Sequence, residues 1–193
     1  LIERDFDLQA CVHFQDNFLI NFYEFTLFME VNTDSIREQN VAMDRIKYMI
    51  YESIENSIFV AFNEEKAIEN YTKAGLKVSV VPEEPYDQII ALLLMLKLNS
   101  VCEGKLKITD IKLTSKLSDD VKFTETYETA VNAIPMQGWW NEVHPSLCAS
   151  SQNKKEKIVK LVKDTWTDLG LGWKEKKSKS AEILFSIRPD NKP

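Results

Sequence analysis

The feature that most narrows what this chain can fold into is a run of eight consecutive apolar residues, Ile89-Ile90-Ala91-Leu92-Leu93-Leu94-Met95-Leu96, closed by Lys97. Pro85 suits the first turn of a helix, where its missing N–H has no partner to lose, so the run and its flanks read as a helix over 86–98. Such a helix has no polar face. It is far shorter than the roughly 20 residues a bilayer requires, so protein must cover it on most sides. With 44% apolar residues in 193, the chain has the material for that cover and is not a disordered one.

Periodicity supplies the covering elements. Leu8, Ala10, Val12 and Phe14 alternate with Gln9, Cys11, His13 and Gln15, the pattern of a half-buried strand. Gln15-Asp16-Asn17 reads as a turn. A second strand follows, with Tyr23, Phe25, Leu27, Met29 and Val31 on one face and Glu24, Thr26 and Glu30 on the other. The short connection predicts an antiparallel hairpin. From 40 to 54 the period becomes helical through Ala42, Ile46, Met49, Ile50 and Ile54, and Ser35 (with Glu38 three residues on) competes with Asn40 as N-cap. A strand at 57–62, a short helix at 64–74 capped by Asn63 and stopped by Gly75, and a strand at 76–81 form an inserted unit. Leu106 and Ile108, then Ile111 and Leu113, alternate with a parity shift between them, which predicts a β-bulge near Asp110. Ser118-Asp119-Asp120 turns the chain into Val121, Phe123 and Tyr127, a second hairpin.

Residues 136–151 have no sustained period and read as a structured loop. Asn153 then opens a helix with Ile158, Leu161, Val162, Thr165, Trp166 and Leu169 inward, ended by Gly170 and Gly172, and 182–188 alternates as a last strand. The expected fold class is α+β: an antiparallel sheet of two hairpins backed by two main helices, with an αβ insert and a C-terminal helix–strand appendage. Residues 1–135 are the body and 136–193 the appendage.

Charge separates the same two parts. The net charge is −6, but residues 153–193 hold 11 basic against 6 acidic side chains, and the remainder is strongly acidic. Opposite signs favour docking of the appendage on its own or a neighbouring subunit. Lys154, Lys155, Lys157, Lys174, Lys176, Lys177 and Lys179 lack interleaved aromatic platforms, so a nucleic-acid partner is not expected. Three cysteines suggest a reducing, cytoplasmic setting rather than a disulfide scaffold. The first seven residues carry no secretory signal pattern, and a start at Leu1 suggests a trimmed or processed chain.

Known catalytic signatures are missing. No phosphate loop, dinucleotide glycine motif or G-x-S-x-G occurs, in keeping with only 5 glycines. Zinc would need both histidines, His13 and His144, with ligands drawn from Cys11, Cys148, Glu24 or Glu142, and no ligand spacing supports it; no metal and no cofactor is expected. Cys148 lies four residues after His144, and Cys11 shares a strand face with His13, but neither pair has the geometry of an activated nucleophile. The densest polar cluster is the outer face of the first hairpin: Cys11, His13, Glu24, Thr26 and Glu30. Trp139-Trp140 either covers a pocket or subunit contact, or latches the C-terminal helix to the sheet.

The order strand–strand–helix–insert–helix–strand–strand over 7–127 resembles the unit of the tunnelling-fold superfamily, which includes 6-pyruvoyl-tetrahydropterin-synthase-like enzymes. The stretches that carry the resemblance are 7–15, 22–31, 40–54, 86–98, 106–115 and 121–127. It implies two helices between two hairpins, assembly into barrels, and a pterin- or purine-like ring bound between subunits. The family's zinc uses one histidine from the first strand and an H-x-H pair from the second. His13 stands in the first place, but the second strand reads Phe22-Tyr23-Glu24, so zinc does not carry over. The resemblance further implies an acidic anchor for the ring, Glu125 or Glu128. Together with the polar face of the first hairpin it suggests a site in which Glu24 also binds the ligand, His13 serves as catalytic acid or base, and Trp139 or Trp140 stacks on the ring. The expected function is a diverged ring-binding protein; the alternative is a non-catalytic assembly or protein-interaction module. A homo-oligomer is expected, since open sheet edges need pairing or cover. Light scattering at high protein concentration checks this: a mass above one chain is expected, and a monomer contradicts it.

Overall fold

The computed structural model describes residues 1–119, 121–147 and 165–174. Strand β1 (Ile2–Phe14) and strand β2 (Asn17–Val31) form a long antiparallel hairpin in which Phe14 faces Asn17. The turn is therefore two residues, Gln15 and Asp16, with φ of 49° and 62° as a tight hairpin of the right twist requires. Phe6, Leu8, Ala10 and Val12 of β1 and Tyr23, Phe25, Leu27 and Met29 of β2 are buried. The alternation thus sets which face meets the helices.

Helix α1 (Ile36–Tyr48) begins at Ser35, whose side chain accepts from Glu38 N. Glu38 is held by Thr33 at 2.6 Å and by Lys105 at 3.0 Å, which favours Ser35 over Asn40 as the start. The chain winds on as a π-helical turn, Met49–Ile54, and this keeps Met49, Ile50 and Ile54 in the core. The insert follows: β3 (Ile58–Ala61), α2 (Glu65–Lys73) and β4 (Val78–Val81). Glu64, not Asn63, occupies the N-cap of α2, and its side chain makes no cap bond. At the other end Gly75, at φ 76°, lets Leu76 N reach Tyr71 O and its own N–H reach Thr72 O, a Schellman ending.

Helix α3 (Asp87–Cys102) is buried without a break from Ile90 to Leu98, as its sequence demanded. Strands β5 (Leu106–Ser115) and β6 (Phe123–Thr126) complete one six-stranded sheet in the order β4-β3-β1-β2-β5-β6. The two hairpins are antiparallel throughout, whereas β3 joins β1, and β4 joins β3, in parallel. The fold is α+β. The expected bulge exists: Phe28 pairs with Asp110 but Met29 with Ile108, leaving Thr109 as the extra residue. Asn99 of α3 clasps the backbone there, accepting from Ile108 N at 2.9 Å and donating to Ile108 O at 3.0 Å.

The second hairpin ends sooner than its pattern suggests. Thr126 caps a helix, α4 (Tyr127–Ala133), by accepting from Thr129 N, so Tyr127 is helical rather than the end of a strand. From α4 the chain crosses α3 as a strap. A 3-10 turn, Trp139–Asn141, buries both tryptophans, and Trp139 Nε1 donates to Val80 O of β4 at 2.8 Å. Lys97, with 0% exposure, holds the strap by donating to the carbonyls of Trp139, Glu142 and His144 at 2.7–2.9 Å. Arg45, 2% exposed, does the same for residues 165–174. It donates to Leu171 O, Val101 O and Glu103, and its guanidinium lies over the rings of Trp166 and Trp173 at 4.8 and 3.8 Å. Residues 166–170 form turns. The rest of the expected C-terminal helix and the last strand lie outside the described residues. Among the described residues no helix is long and apolar enough to cross a membrane.

Replacing Lys97 with Met strands three carbonyls, and we expect a stability loss of roughly 2–4 kcal/mol by chemical denaturation. Burial also pushes the Lys97 ammonium down from 10.5 to about 8, against the pull of nearby Glu142. From about pH 8 to the unfolded value, the unfolded chain holds a proton that the folded chain has released, so stability rises with pH across that window. The gap between wild type and Lys97→Met should widen from pH 8 to pH 10; a constant gap would place folded Lys97 at its ordinary value.

Candidate functional site

The sheet ends at the β1–β2 turn, and beside that end the first turn of α3 stands clear of the strap. A cleft of about 350 Å³ opens there, lined by Val12, Phe14, Leu19, Asn21, Pro85, Tyr86, Asp87, Leu117, Ser118 and Phe123. Its walls are mostly apolar, with Phe14 and Tyr86 meeting edge to face at 5.2 Å. Its polar groups are few. Asn21 sits on the inward face of β2, 1% exposed. Its Oδ1 accepts from Phe22 N at 2.9 Å and Leu117 N at 3.2 Å, which directs its Nδ2 elsewhere, and Nδ2 has no hydrogen-bond partner. Asp87 accepts from Ser115 Oγ at 2.5 Å through one carboxylate oxygen. Tyr23, two residues along from Asn21, also has a buried hydroxyl without a well-formed hydrogen bond; burial raises its pKa well above the usual phenol range, against the opposing pull of the Asn21 side chain beside it.

A second cavity of about 500 Å³ lies on the other face of the sheet. Asp5, Asp7, Glu24, Thr26, Lys112, Thr114 and Lys122 contribute its polar lining. Here Thr26 donates to Asp5 at 2.6 Å, and Lys112 faces Thr26 across the β2–β5 pair. Acids from the first hairpin and lysines from the second meet on this open surface, where solvent screens them.

The residues singled out from sequence are not brought together. Glu24 lies in the 500 Å³ cavity, opposite Asp7. His13 pairs with Phe18 at the hairpin end, six residues along β1 and roughly 20 Å away at strand rise. Glu125 faces the helices, 8% exposed, and accepts from Gln88 Nε2 at 2.6 Å. Glu128 is exposed in the first turn of α4. Trp139 and Trp140 are 2% and 6% exposed and stack edge to face at 5.9 Å, with their indole N–H groups donating to Val80 O and Pro135 O. Both rings lie within the strap's core. Of the other zinc candidates, His144 bonds Ser146 and Cys148 lies outside the described residues.

Asn21 and Asp87 were missed, and one of them had a signal. Asn21 falls on the same parity as Tyr23, Phe25, Leu27 and Met29, so it is a polar residue written into the buried face. Asp87 reads only as an ordinary acid in a helix's first turn, and pattern alone could not separate it from the rest.

Among the described residues, the two cysteines show no nucleophile geometry. Cys102 is fully buried, which pushes its thiol up to about 12, and the partly buried Cys11 is also raised. The neighbouring His13 turns its ring to Tyr71 rather than to Cys11. In a Cys148→Ser background, a disulfide reagent at pH 8 should leave Cys102 untouched until unfolding and modify Cys11 at least about tenfold more slowly than free cysteine. Rapid modification of either thiol contradicts this.

The chain matches no protein-family model, and no curated protein sequence matches it.

Proposed function

We propose that this protein binds a flat heterocycle of pterin or purine type in the cleft at the hairpin end of the sheet. The observation that carries the reading is the buried Asn21 amide, whose NH₂ lacks a hydrogen-bond partner, on a residue that lines the apolar cleft. An unpaired buried donor costs about 1–3 kcal/mol, which a ligand acceptor at that point would recover. Asp87 supplies an acceptor in the same wall. A donor beside an acceptor complements the N–H/C=O edge that pterins and guanine share, and Phe14, Tyr86 and Phe123 offer ring faces for the apolar body.

The resemblance to the tunnelling fold supports the same ligand class. Helices α1 and α3 fall between the β1–β2 and β5–β6 hairpins, and those hairpins are adjacent in the sheet. In that superfamily the ring lies between subunits. Leu19, Tyr86 and Leu117 at this cleft are 37%, 54% and 49% exposed, apolar surface that a second copy would cover. In this reading Glu125 steadies the first turn of α3 through Gln88, and the tryptophans hold the strap.

A non-catalytic assembly role has its own observation. Among the described residues, β1 gains a strand partner on its outer side only at Cys11 and Val12, and Phe18, Ile20 and Phe22 are exposed on β2. A bare edge beside exposed apolar residues favours self-association.

Calorimetric titration with guanosine and with a pterin tests the binding reading. Wild type should bind at least one of them, and Asn21→Asp, which keeps an acceptor for Phe22 N and Leu117 N but removes the donor, should weaken binding at least about tenfold. Absence of binding by the whole class, or unchanged affinity in a folded Asn21→Asp variant, overturns it.

A further inference from the structure

A second polar cluster occupies the same end of the sheet on the opposite face. His13 points away from α1 and α3, toward α2, and is 7% exposed. Its Nδ1 lies 3.0 Å from Tyr71 Oη, a contact that fixes the ring, while Nε2 is buried with no hydrogen-bond partner. Glu64 Oε2 is 4.0 Å from Nε2, and one ligand atom each from His13, Asp16 and Glu64 lies within 4.8 Å of the other two. With Nε2 unprotonated, the imidazole nitrogen is left unpaired and the two close carboxylates repel each other.

We infer that His13, Asp16 and Glu64 bind a divalent transition-metal cation of the zinc class. The cation would take the Nε2 lone pair and neutralise both carboxylates, removing each unfavourable feature at once. One imidazole and two carboxylates form a donor set suited to zinc and its neighbours. Zinc held at about 2.0–2.2 Å from tetrahedral ligands brings neighbouring donor atoms to roughly 3.3 Å, so the donor atoms must close by at most about 1.5 Å. The side chains that must move are free to do so: Asp16 is exposed in the hairpin turn, Glu64 is half-exposed, and neither accepts a hydrogen bond among the described residues. The imidazole can stay still: in the tautomer whose Nδ1–H donates to Tyr71 Oη, Nε2 carries the lone pair that ligates. Three protein ligands leave one position open to water or a small ligand. Two of the three ligands come from the hairpin turn and the start of α2, so the set is distinct from a histidine pair on the second strand.

The test titrates chelator-treated full chain with Zn²⁺ by calorimetry and with Co²⁺ by visible absorption. The expected result is one site per chain, with the intense d–d bands of a four- or five-coordinate Co²⁺ ion. Glu64→Gln and Asp16→Asn lie at partly or fully exposed positions and should keep the fold by circular dichroism. Each should weaken Zn²⁺ binding at least about tenfold. Wild-type affinity weaker than about 100 µM, or both folded variants binding as tightly as wild type, overturns the site. The heterocycle cleft shares none of these residues, so the two titrations fail independently.

Discussion

The described structure is organised around a helix that has no side fit for water. One side of α3 lies on the sheet, where Asn99 grips the bulged backbone at Ile108. The other sides need cover, and the strap from α4 through the buried tryptophans provides it. A bare apolar helix would hold such a strap only loosely, since apolar contact has no direction. Lys97 supplies direction. Its ammonium, sunk in the same apolar surface, is tolerable only because three carbonyls of the strap surround it, and those carbonyls are buried only because Lys97 is there. Arg45 repeats the device toward Leu171, Trp166 and Trp173.

This arrangement decides where a ligand can enter. The strap's side-chain bonds to α3 come from Lys97 and Ser100, in the C-terminal half of the helix. The first turn, with Tyr86 and Asp87, is left beside the hairpin end, and the uncovered corner is the cleft that Asn21 lines. On the opposite face the insert closes over the same end of the hairpin, bringing Tyr71 and Glu64 to His13. Both candidate sites thus arise at one end of the sheet, where covering layers stop or meet.

Much of the fold was legible because its signals are local. Strand parity in β1 and β2, the parity shift at the bulge, the glycine that stops α2 and the run in α3 all act within a few residues. The parallel docking of β3 on β1 was not legible, since a four-residue buried strand carries no mark of its partner's direction. Helix α4 was missed because Thr126 and Thr129 suit a strand as well as a cap. The sites were harder still. Sequence placed His13 and Glu24 on one hairpin face, but register sets them six residues apart. The adjacent tryptophans drew attention as a ligand platform, whereas both rings fit the core because a 3-10 turn, not an extended chain, carries them. The informative residue was the quieter Asn21, a polar side chain on a buried parity.

The central functional claim is that this unpaired amide awaits a ligand acceptor. Its side-chain NH₂ resonances can be followed directly by ¹H–¹⁵N correlation spectroscopy while guanosine or a pterin is added. A saturable downfield shift of the Asn21 amide protons, with the Phe123 and Tyr86 ring signals moving in step, is the predicted result. Unmoved Asn21 resonances at ligand saturation, with perturbations confined to another surface, would contradict it.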